Sequence, residues 1–328
     1  MKKWVVYIPM SVQFVTFNAA QAGQRLDNFL ITKLKGVPKS HIYRLLRKGE
    51  VRINKKRVKP DYRIQEGDLL RLPPVRVAES DAPHKVHDRV LQLIADSILY
   101  EDDGMLVLNK PSGMAVHGGS GVSYGVIEAL RALRPDEARL ELVHRLDKET
   151  SGCLMIAKSR PALVYLHAQL RERKVKKTYL ALVEGRWPKA VHKVDLPLLK
   201  NQLASGERMV RVDTAQGVES LTTFQVVQYF KNATLLEAHP FTGRTHQIRV
   251  HTAATGHPIC GDDKYGLKQP VQSARQIGLK RLFLHALRLQ WINMDSGDRQ
   301  TIEAPLAADL EQCVDKLGLD LLSKEEKA

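Results

Sequence analysis

The chain has 328 residues, of which 43% are hydrophobic. This length is sufficient for a large core and predicts two globular domains. Lys and Arg together number 51 against 36 Asp and Glu, and the net charge of +15 predicts an anionic partner, either nucleic acid or an acidic membrane surface. The sequence contains no apolar run of transmembrane length, which excludes a membrane-spanning protein.

A linker-like stretch separates two blocks of different composition. Residues 73–83 are rich in proline and polar residues and lack hydrophobic periodicity, as linkers between domains do. We therefore predict a small N-terminal α/β domain within residues 1–82 and a larger domain over residues 83–328.

The first block begins with a short strand and two helices. Residues 12–16 alternate between apolar and polar, as in a strand. Apolar residues from Leu26 to Leu34 then recur at helical spacing. Pro38 begins a second helix and Gly49 ends it, the positions that these residues favour. Further short strands are predicted around Ile53, from Val58 onward and at residues 69–72.

Cations cluster on the second helix and on the turn Asn54–Arg57. Between Lys33 and Arg63 only Glu50 and Asp61 oppose them. A solvated surface is the simpler interpretation, but repulsion within so one-sided a cluster favours a phosphate backbone as the partner. The residues predicted to contact nucleic acid are Lys39, Arg44, Arg47, Lys48, Lys55, Lys56 and Arg57. The segments Arg25–Leu30, Ser40–Gly49 and Val51–Asn54 resemble the S4 RNA-binding module.

The second block mixes strands and helices. The turn Glu101–Gly104 joins two apolar segments and predicts a hairpin. Helices are expected around residues 127–133 and 163–170. Strands are expected at residues 98–100, 105–108, 151–157, 179–183, 222–230 and 234–238. Short turns between strands, with helices among them, predict an α+β domain with a mixed, largely antiparallel sheet and flanking helices.

The segment His144–Gly152 contains the strongest candidate for chemistry. Asp147 stands among His144, Arg145 and Lys148, and a turn follows it into an apolar strand. The simpler interpretation is an Asp that caps a turn. Nearby cations would instead keep a buried carboxylate ionised, so that it could act as a nucleophile or stabilise charge at a sugar carbon.

Two further segments supply candidate partners. On a helix, His246 and Arg249 would share a face, and the rigid guanidinium of Arg249 could reach a buried carboxylate. A basic helix that faces solvent or RNA explains the same pattern equally well. Tyr179 opens a strand, where it could simply pack in the sheet or stack on a base.

No motif indicates a cofactor, a metal ion or a disulfide. The glycine-rich loop at residues 117–125 matches neither the Rossmann fingerprint nor the P-loop. The histidines lack the spacing of metal ligands. Cys153, Cys260 and Cys313 form no CxxC pair, which makes the cytoplasm the simplest compartment. The first residues imitate a signal peptide, but Pro9 and Ser11 interrupt its apolar core.

The nine residues from His144 to Gly152 resemble the HRLDxxTSG signature of the RluA-type pseudouridine synthases. Further similarity to that family lies in Asn109–Gly113, Gly261–Gly266 and Arg281–Ala286. The resemblance covers nearly the whole chain from Gln24 onward.

The resemblance implies an RNA pseudouridine synthase fold and a cofactor-free isomerisation of uridines in large-subunit (23S) ribosomal RNA. Asp147 would be the catalytic carboxylate, Arg249 its partner and Tyr179 the active-site tyrosine, while Leu284 would pack in the site. Arg145 would fill the space of the flipped base. A monomer is expected.

Three alternatives stay open at this point. The chain could be a non-catalytic RNA-binding or ribosome assembly factor on the same fold. It could act on other ribosomal sites or on tRNA, or be a glycosidase that releases free uracil. Asp147 could attack the sugar, attack the base, or start a glycal route.

Overall fold

The computed structural model describes residues 12–19, 21–34, 37–75, 86–118, 123–137, 139–202, 208–267 and 277–325. The chain divides into two compact units, Met1–Lys85 and Val86–Ala328. The domain boundary predicted after residue 82 and most of the predicted linker lie outside the described residues, and so does the signal-like segment up to residue 11.

The smaller unit packs two helices on a three-stranded antiparallel sheet. Its elements are β1 (Gln13–Thr16), α1 (Leu26–Lys33), α2 (Lys39–Lys48), β2 (Arg52–Ile53) and β3 (Leu69–Leu72). The strands lie in the order β1-β3-β2. Both predicted helices are confirmed, and Gly49 ends α2 with a left-handed φ of 70°.

The strand predicted from Val58 onward is wrong. Backbone groups in that segment pair with the start of α1 instead: Leu26 donates to the carbonyl of Tyr62, and Ile64 donates to that of Gln24. Among the described residues of this segment, only Arg63 forms a bridge, with Arg25. The apolar residues therefore fill the small core without joining the sheet.

The larger unit is built on one ten-stranded sheet. Its helices are α3 (Asp88–Asp96), α4 (Val126–Leu133), α5 (Arg160–Arg171), α6 (Gln247–Ala254) and α7 (Ala308–Glu325). Its strands are β4 (Ile98–Glu101), β5 (Met105–Lys110), β6 (Glu141–Leu142), β7 (Ser151–Ala157), β8 (Lys176–Glu184), β9 (Lys193–Asp195), β10 (Leu198–Gln202), β11 (Arg208–Val212), β12 (Leu221–Tyr229), β13 (Ala233–Pro240), β14 (Leu284–Ile292) and β15 (Arg299–Glu303).

The order within this sheet confirms the predicted fold class. The main path is β4-β5-β7-β14-β8-β13-β12-β9, with β15 beside β14 and β6 beside β7. Every pair in it is antiparallel except β7 with β14. Strands β10 and β11 form a separate hairpin.

Two hydrophobic cores share the larger unit. The first gathers around β5 and β7 and includes Leu146. The second gathers around β8 and β13 and includes Ile248 and Leu284. Tyr179, on β8, packs against both cores. The seam between the cores is where β14 runs between β7 and β8.

Gly152 sets the close approach of β7 to β14 at this seam. It has a φ of 104° and pairs with Ala286, whose carbonyl oxygen occupies the space that a Cβ would need. Only glycine combines this backbone conformation with so near a neighbour. The turn that precedes it is closed by the amide of Thr150, which donates to the carbonyl of Asp147 at 3.2 Å.

Candidate active site

A cleft of about 540 Å³ opens in the larger unit. Its walls come from the loop before β7, the end of α5 with the turn after it, the start of β8, the segment from the end of β13 to the start of α6, and the start of β14. All five positions that the sequence assigns to the site of chemistry line this cleft: Arg145, Asp147, Tyr179, Arg249 and Leu284.

The Asp147 carboxylate has a donor near each oxygen. Oδ1 lies 3.9 Å from Nε2 of His246, and Oδ2 lies 4.0 Å from Nη1 of Arg249. Both distances exceed that of a hydrogen bond. The side chain keeps 20% of its surface exposed. Each oxygen therefore has a nitrogen donor nearby and is still accessible to a reacting atom.

The cations next to Asp147 in sequence do not provide this environment. His144 faces β7, where its Nε2 accepts the amide of Met155 at 3.0 Å. Burial, with help from the charge of Lys177, lowers the pKa of His144 to about 3, so this ring is neutral. Lys148 is exposed and lies 3.9 Å from Glu149, and Arg145 is exposed. Within the described part of the chain, the guanidinium within 4.0 Å of Asp147 is that of Arg249 on α6 and not that of a sequence neighbour.

Arg249 is fixed by Asp262 rather than by Asp147. Nε and Nη2 each donate to an Asp262 oxygen at 2.7 Å, while Nη1 faces Asp147. Burial alone would lower the pKa of Arg249 and raise that of Asp262. Their hydrogen bonds and opposite charges outweigh burial, so the pKa of Arg249 is raised and that of Asp262 is lowered. The sequence contained Asp262 in a matched motif but did not indicate this pairing.

A short hydrogen-bonded chain approaches Asp147 from the other side. The amide of Val210, on β11, donates to the Tyr265 hydroxyl at 2.9 Å. That hydroxyl lies 2.7 Å from Nδ1 of His246. His246 immediately precedes α6 and has a left-handed φ of 53°. Sequence reasoning placed His246 on the same face as Arg249 but gave it no partner.

Tyr179 and Leu284 form the apolar side of the cleft. Leu284 is buried and Tyr179 is half-buried. Burial, followed by the negative charge of Asp147, raises the pKa of Tyr179 well above its usual range. The phenol therefore stays neutral at ordinary pH and presents a flat ring in the same cleft as the carboxylate.

Lys110 braces the Asp147 loop from inside the protein. Its fully buried ammonium donates to the carbonyls of Pro111 and Met114 at 2.7 Å and of Lys148 at 3.0 Å. Burial lowers its pKa to about 7, against the attraction of Glu149 and Asp147. Because Lys148 adjoins Asp147, these bonds fix the carboxylate's position.

Lys177 adds a positive charge to the cleft wall. It lines the cleft two residues before Tyr179 on β8, and burial lowers its pKa. Among the described residues, Lys177 takes part in no ion pair. Its ammonium is therefore available to an anionic or polar ligand.

All seven predicted RNA-binding cations of the smaller unit are exposed: Lys39, Arg44, Arg47, Lys48, Lys55, Lys56 and Arg57. The first four belong to α2 and the others to the turn after β2. In the described part of the chain, none of the seven forms an ion pair. The turn is tight, with positive φ at Asn54 and Lys55.

The described ranges hold neither a metal cluster nor a membrane span. No three His, Cys, Asp or Glu side chains there gather closely enough to hold a metal ion. None of the helices described is both long and apolar enough to cross a membrane.

Two family models match the sequence. The model described as RNA pseudouridylate synthase matches residues 104–254, which include Asp147, Tyr179 and Arg249. The model of the S4 domain matches residues 24–70, which include all seven cations of the smaller unit.

Similar proteins extend the match over almost the full length. The chain is 57% identical over 310 residues to ribosomal large subunit pseudouridine synthase C of Salmonella typhi, covering 94% of this chain and 97% of that protein. It is 56% identical to the protein of that name in Escherichia coli, with the same coverage. Its identity to the Pasteurella multocida protein of that name is 54% over 317 residues, 96% of this chain and 97% of the relative.

Two solved structures share the fold. Human RNA Pseudouridylate Synthase Domain Containing 4 superposes with a TM-score of 0.59 at 25% identity, covering 70% of this chain and 95% of that one. Human RNA Pseudouridylate Synthase Domain Containing 1 gives a TM-score of 0.54 at 28% identity, covering 66% and 86%.

Proposed function

This chain belongs to the family of RluA-type pseudouridine synthases, and we propose that it isomerises specific uridines of large-subunit ribosomal RNA, with Asp147 as the catalytic carboxylate. The name shared by relatives at 54–57% identity supports the substrate. One observation carries the assignment of Asp147: it is the only acid among the described residues that line the cleft.

The reaction fits one carboxylate better than two. The N1–C1′ bond of uridine breaks, a C5–C1′ bond forms, C5 loses its proton and N1 gains one, without net hydrolysis or redox change. Glycoside hydrolysis uses a pair of acids, whereas here Asp147 is the single acid among the described residues that line the cleft. No described residue lies within hydrogen-bonding distance of either Asp147 oxygen, so both are open to a sugar carbon or a proton of the RNA.

The other cleft residues have complementary roles in this proposal. Arg249 places a positive charge 4.0 Å from the Asp147 carboxylate through Nη1. Tyr179 stacks on the flipped uracil and takes part in the later proton transfer at C5, while Leu284 packs beneath the ring. Arg145, exposed at the rim, fills the space that the base leaves in the RNA stack.

The smaller unit anchors the RNA. Its seven exposed cations, which form no ion pair with a described residue, present one sign of charge to a phosphate backbone. We further propose that the protein acts as a monomer in the cytoplasm. A sedimentation velocity run at micromolar concentration should give a single species near 37.0 kDa, the mass of one chain, and a dimer would contradict this.

A tritium-release assay tests the proposal. Large-subunit rRNA carrying uridine tritiated at C5 should lose tritium with the wild-type protein but not with Asp147→Ala or Asp147→Asn. Release by both variants at the wild-type rate would overturn the role of Asp147. Mapping of pseudouridines in rRNA from cells with and without the protein identifies the sites.

The same assay separates the alternatives. Tritium release from tRNA alone would keep the enzyme but change its substrate. Tight RNA binding without release from any RNA would favour an assembly factor. Free uracil in the reaction would indicate a glycosidase.

A further inference from the structure

We propose that His246 is a positioning residue for Asp147, and that the Tyr265 hydroxyl fixes the ring tautomer that makes this possible. In this arrangement Nε2–H of His246 points at Oδ1 of Asp147, 3.9 Å away, and orients the carboxylate once RNA fills the cleft. The inference rests on the proposed role of Asp147 in catalysis.

Hydrogen bonding assigns the tautomer. The Tyr265 oxygen already accepts the Val210 amide at 2.9 Å, and its own proton needs an acceptor. The hydroxyl makes no third hydrogen bond within the described ranges, and Nδ1 of His246 lies 2.7 Å from it. Tyr265 therefore donates to Nδ1, which leaves the ring proton on Nε2, the nitrogen that faces Asp147.

The ring acts while neutral. Burial lowers the pKa of His246. The negative charges of Asp147 and Asp262 raise it, and the positive charges of Arg249 and Lys264 lower it. A neutral imidazole adds no positive charge near Asp147, so it can act only by orienting the carboxylate through a hydrogen bond. Arg249 supplies the charge near Oδ2, and His246 supplies a second donor direction near Oδ1.

The backbone conformation at His246 is compatible with this placement of the side chain. Its φ of 53° is left-handed, a conformation that is uncommon for residues other than glycine. Glycine would relieve this strain at the same position. Histidine is one of the side chains enriched in this conformation, and here its ring stands edge-on to Tyr265 at 5.5 Å between centroids.

The present distance is consistent with positioning in the complex. At 3.9 Å the contact is about 1 Å longer than a hydrogen bond. Contacts of catalytic groups commonly tighten when substrate binds. A rotation of the Asp147 side chain by a fraction of a rotamer step would complete a bond to Nε2–H without moving the backbone that Lys110 holds.

Two substitutions of His246 separate side-chain reach from backbone strain. In His246→Gln the amide nitrogen reaches the former position of Nε2, but glutamine tolerates the left-handed φ poorly. In His246→Asn the backbone is comfortable, yet the amide stops near the position of Nδ1. We expect Asn to lower the single-turnover rate of tritium release about 10- to 100-fold and Gln to restore most of it. RNA affinity should be unchanged in both.

Tyr265→Phe tests the second half of the proposal. It should lower the same rate about 5- to 30-fold without weakening RNA binding, and adding His246→Asn should lower it no further than His246→Asn alone. Tyr229→Phe is the matched control, because it removes a hydroxyl bonded to the Trp187 carbonyl, outside the cleft, and should leave the rate unchanged.

The outcomes distinguish this inference from the proposed function. If Asp147→Ala is inactive while His246→Asn releases tritium at the wild-type rate, the positioning role is wrong and the catalytic role of Asp147 stands. A better rate with Asn than with Gln would attribute His246 to backbone shape alone. If Asp147→Ala is fully active, the proposed function fails first.

Discussion

Arg249 and Asp262 form a buried, two-pronged ion pair, with both hydrogen bonds at 2.7 Å. The pair holds the guanidinium so that its remaining nitrogen faces Asp147 at 4.0 Å. A direct salt bridge would occupy the carboxylate oxygens that the proposed reaction needs. Asp262 thus accepts the hydrogen bonds of Arg249, and Asp147 lies in the electrostatic field of the same guanidinium.

Removing the charge of Asp262 should therefore disrupt both stability and activity. Asp262→Asn leaves the Arg249 guanidinium buried without a counter-charge, which costs about 3–5 kcal/mol. Urea unfolding followed by tryptophan fluorescence measures this, and tritium release should fall with it. Asp263→Asn is the control, because Asp263 is exposed and lies 3.3 Å from the same guanidinium. Equal losses in the two variants would contradict the assignment.

Lys110 should make the stability depend on pH. Its pKa is about 7 in the folded protein and 10.5 without burial, so the unfolded chain binds the proton more tightly. Stability should therefore rise with pH above 7 and level off near 10.5, with the full penalty present below pH 7.

A comparison with Lys110→Met isolates this effect. The difference in unfolding free energy, wild type minus variant, should grow by about 1–3 kcal/mol between pH 7 and pH 9. A difference that stays constant over this range would mean that the three carbonyl acceptors keep the ammonium fully charged.

Gly152 should not tolerate a side chain. Gly152→Ala combines a left-handed backbone with an overlap on the Ala286 carbonyl, so we expect a loss above about 3 kcal/mol and a displaced Asp147 loop. Gly113→Ala is matched for backbone strain, with φ of 81°, but meets no neighbour within 4 Å. It should cost only about 1–2 kcal/mol. Equal losses of stability for the two variants in thermal unfolding would contradict the close approach of β7 to β14.

The turn of the smaller unit should govern the salt dependence of RNA binding. Lys55→Gln with Lys56→Gln should lower affinity and reduce the slope of log K against log salt by about 0.7–0.9 for each phosphate that is no longer neutralised. The single-turnover rate at saturating RNA should be unchanged. Arg57 is best left in place, since its side chain lies over Gly49.

A charge-matched control tests whether the change in salt dependence is specific to the turn of the smaller unit. Lys189→Gln with Lys231→Gln removes two exposed cations from the larger unit, outside the cleft, and neither lysine forms an ion pair with a described residue. This variant should keep the wild-type slope. An unchanged slope in the Lys55 and Lys56 variant would remove the turn from the RNA interface.

Periodicity predicted the elements that pack by a simple rule. The all-buried strand β7 and the helix α2, bounded by Pro38 and Gly49, both formed where expected. The motif residues Asp147, Tyr179, Arg249 and Leu284 also came together in one cleft. Each of these rests on a pattern within a few residues or on a resemblance.

The contacts that hold the cleft residues in place could not be predicted from sequence patterns of this kind. Lys110 meets the carbonyl of Lys148 across 38 positions, and Tyr265 meets His246 across 19. Each contact involves a residue outside the strands and helices, where there is no hydrophobic period to read, and Lys110 itself is the last residue of β5. The cations adjacent to Asp147 misled for the same reason, because side-chain direction in a turn depends on backbone angles that sequence spacing does not give.

The two cores on either side of β14 have a consequence for how the enzyme is damaged. Asp147 is carried by the loop that Leu146 anchors in one core, whereas the helix of Arg249 is anchored in the other through Ile248. A change of sheet twist between them alters the separations around the carboxylate while every cleft residue stays intact. Inactive but folded variants should therefore also map to buried positions of the two cores that do not line the cleft.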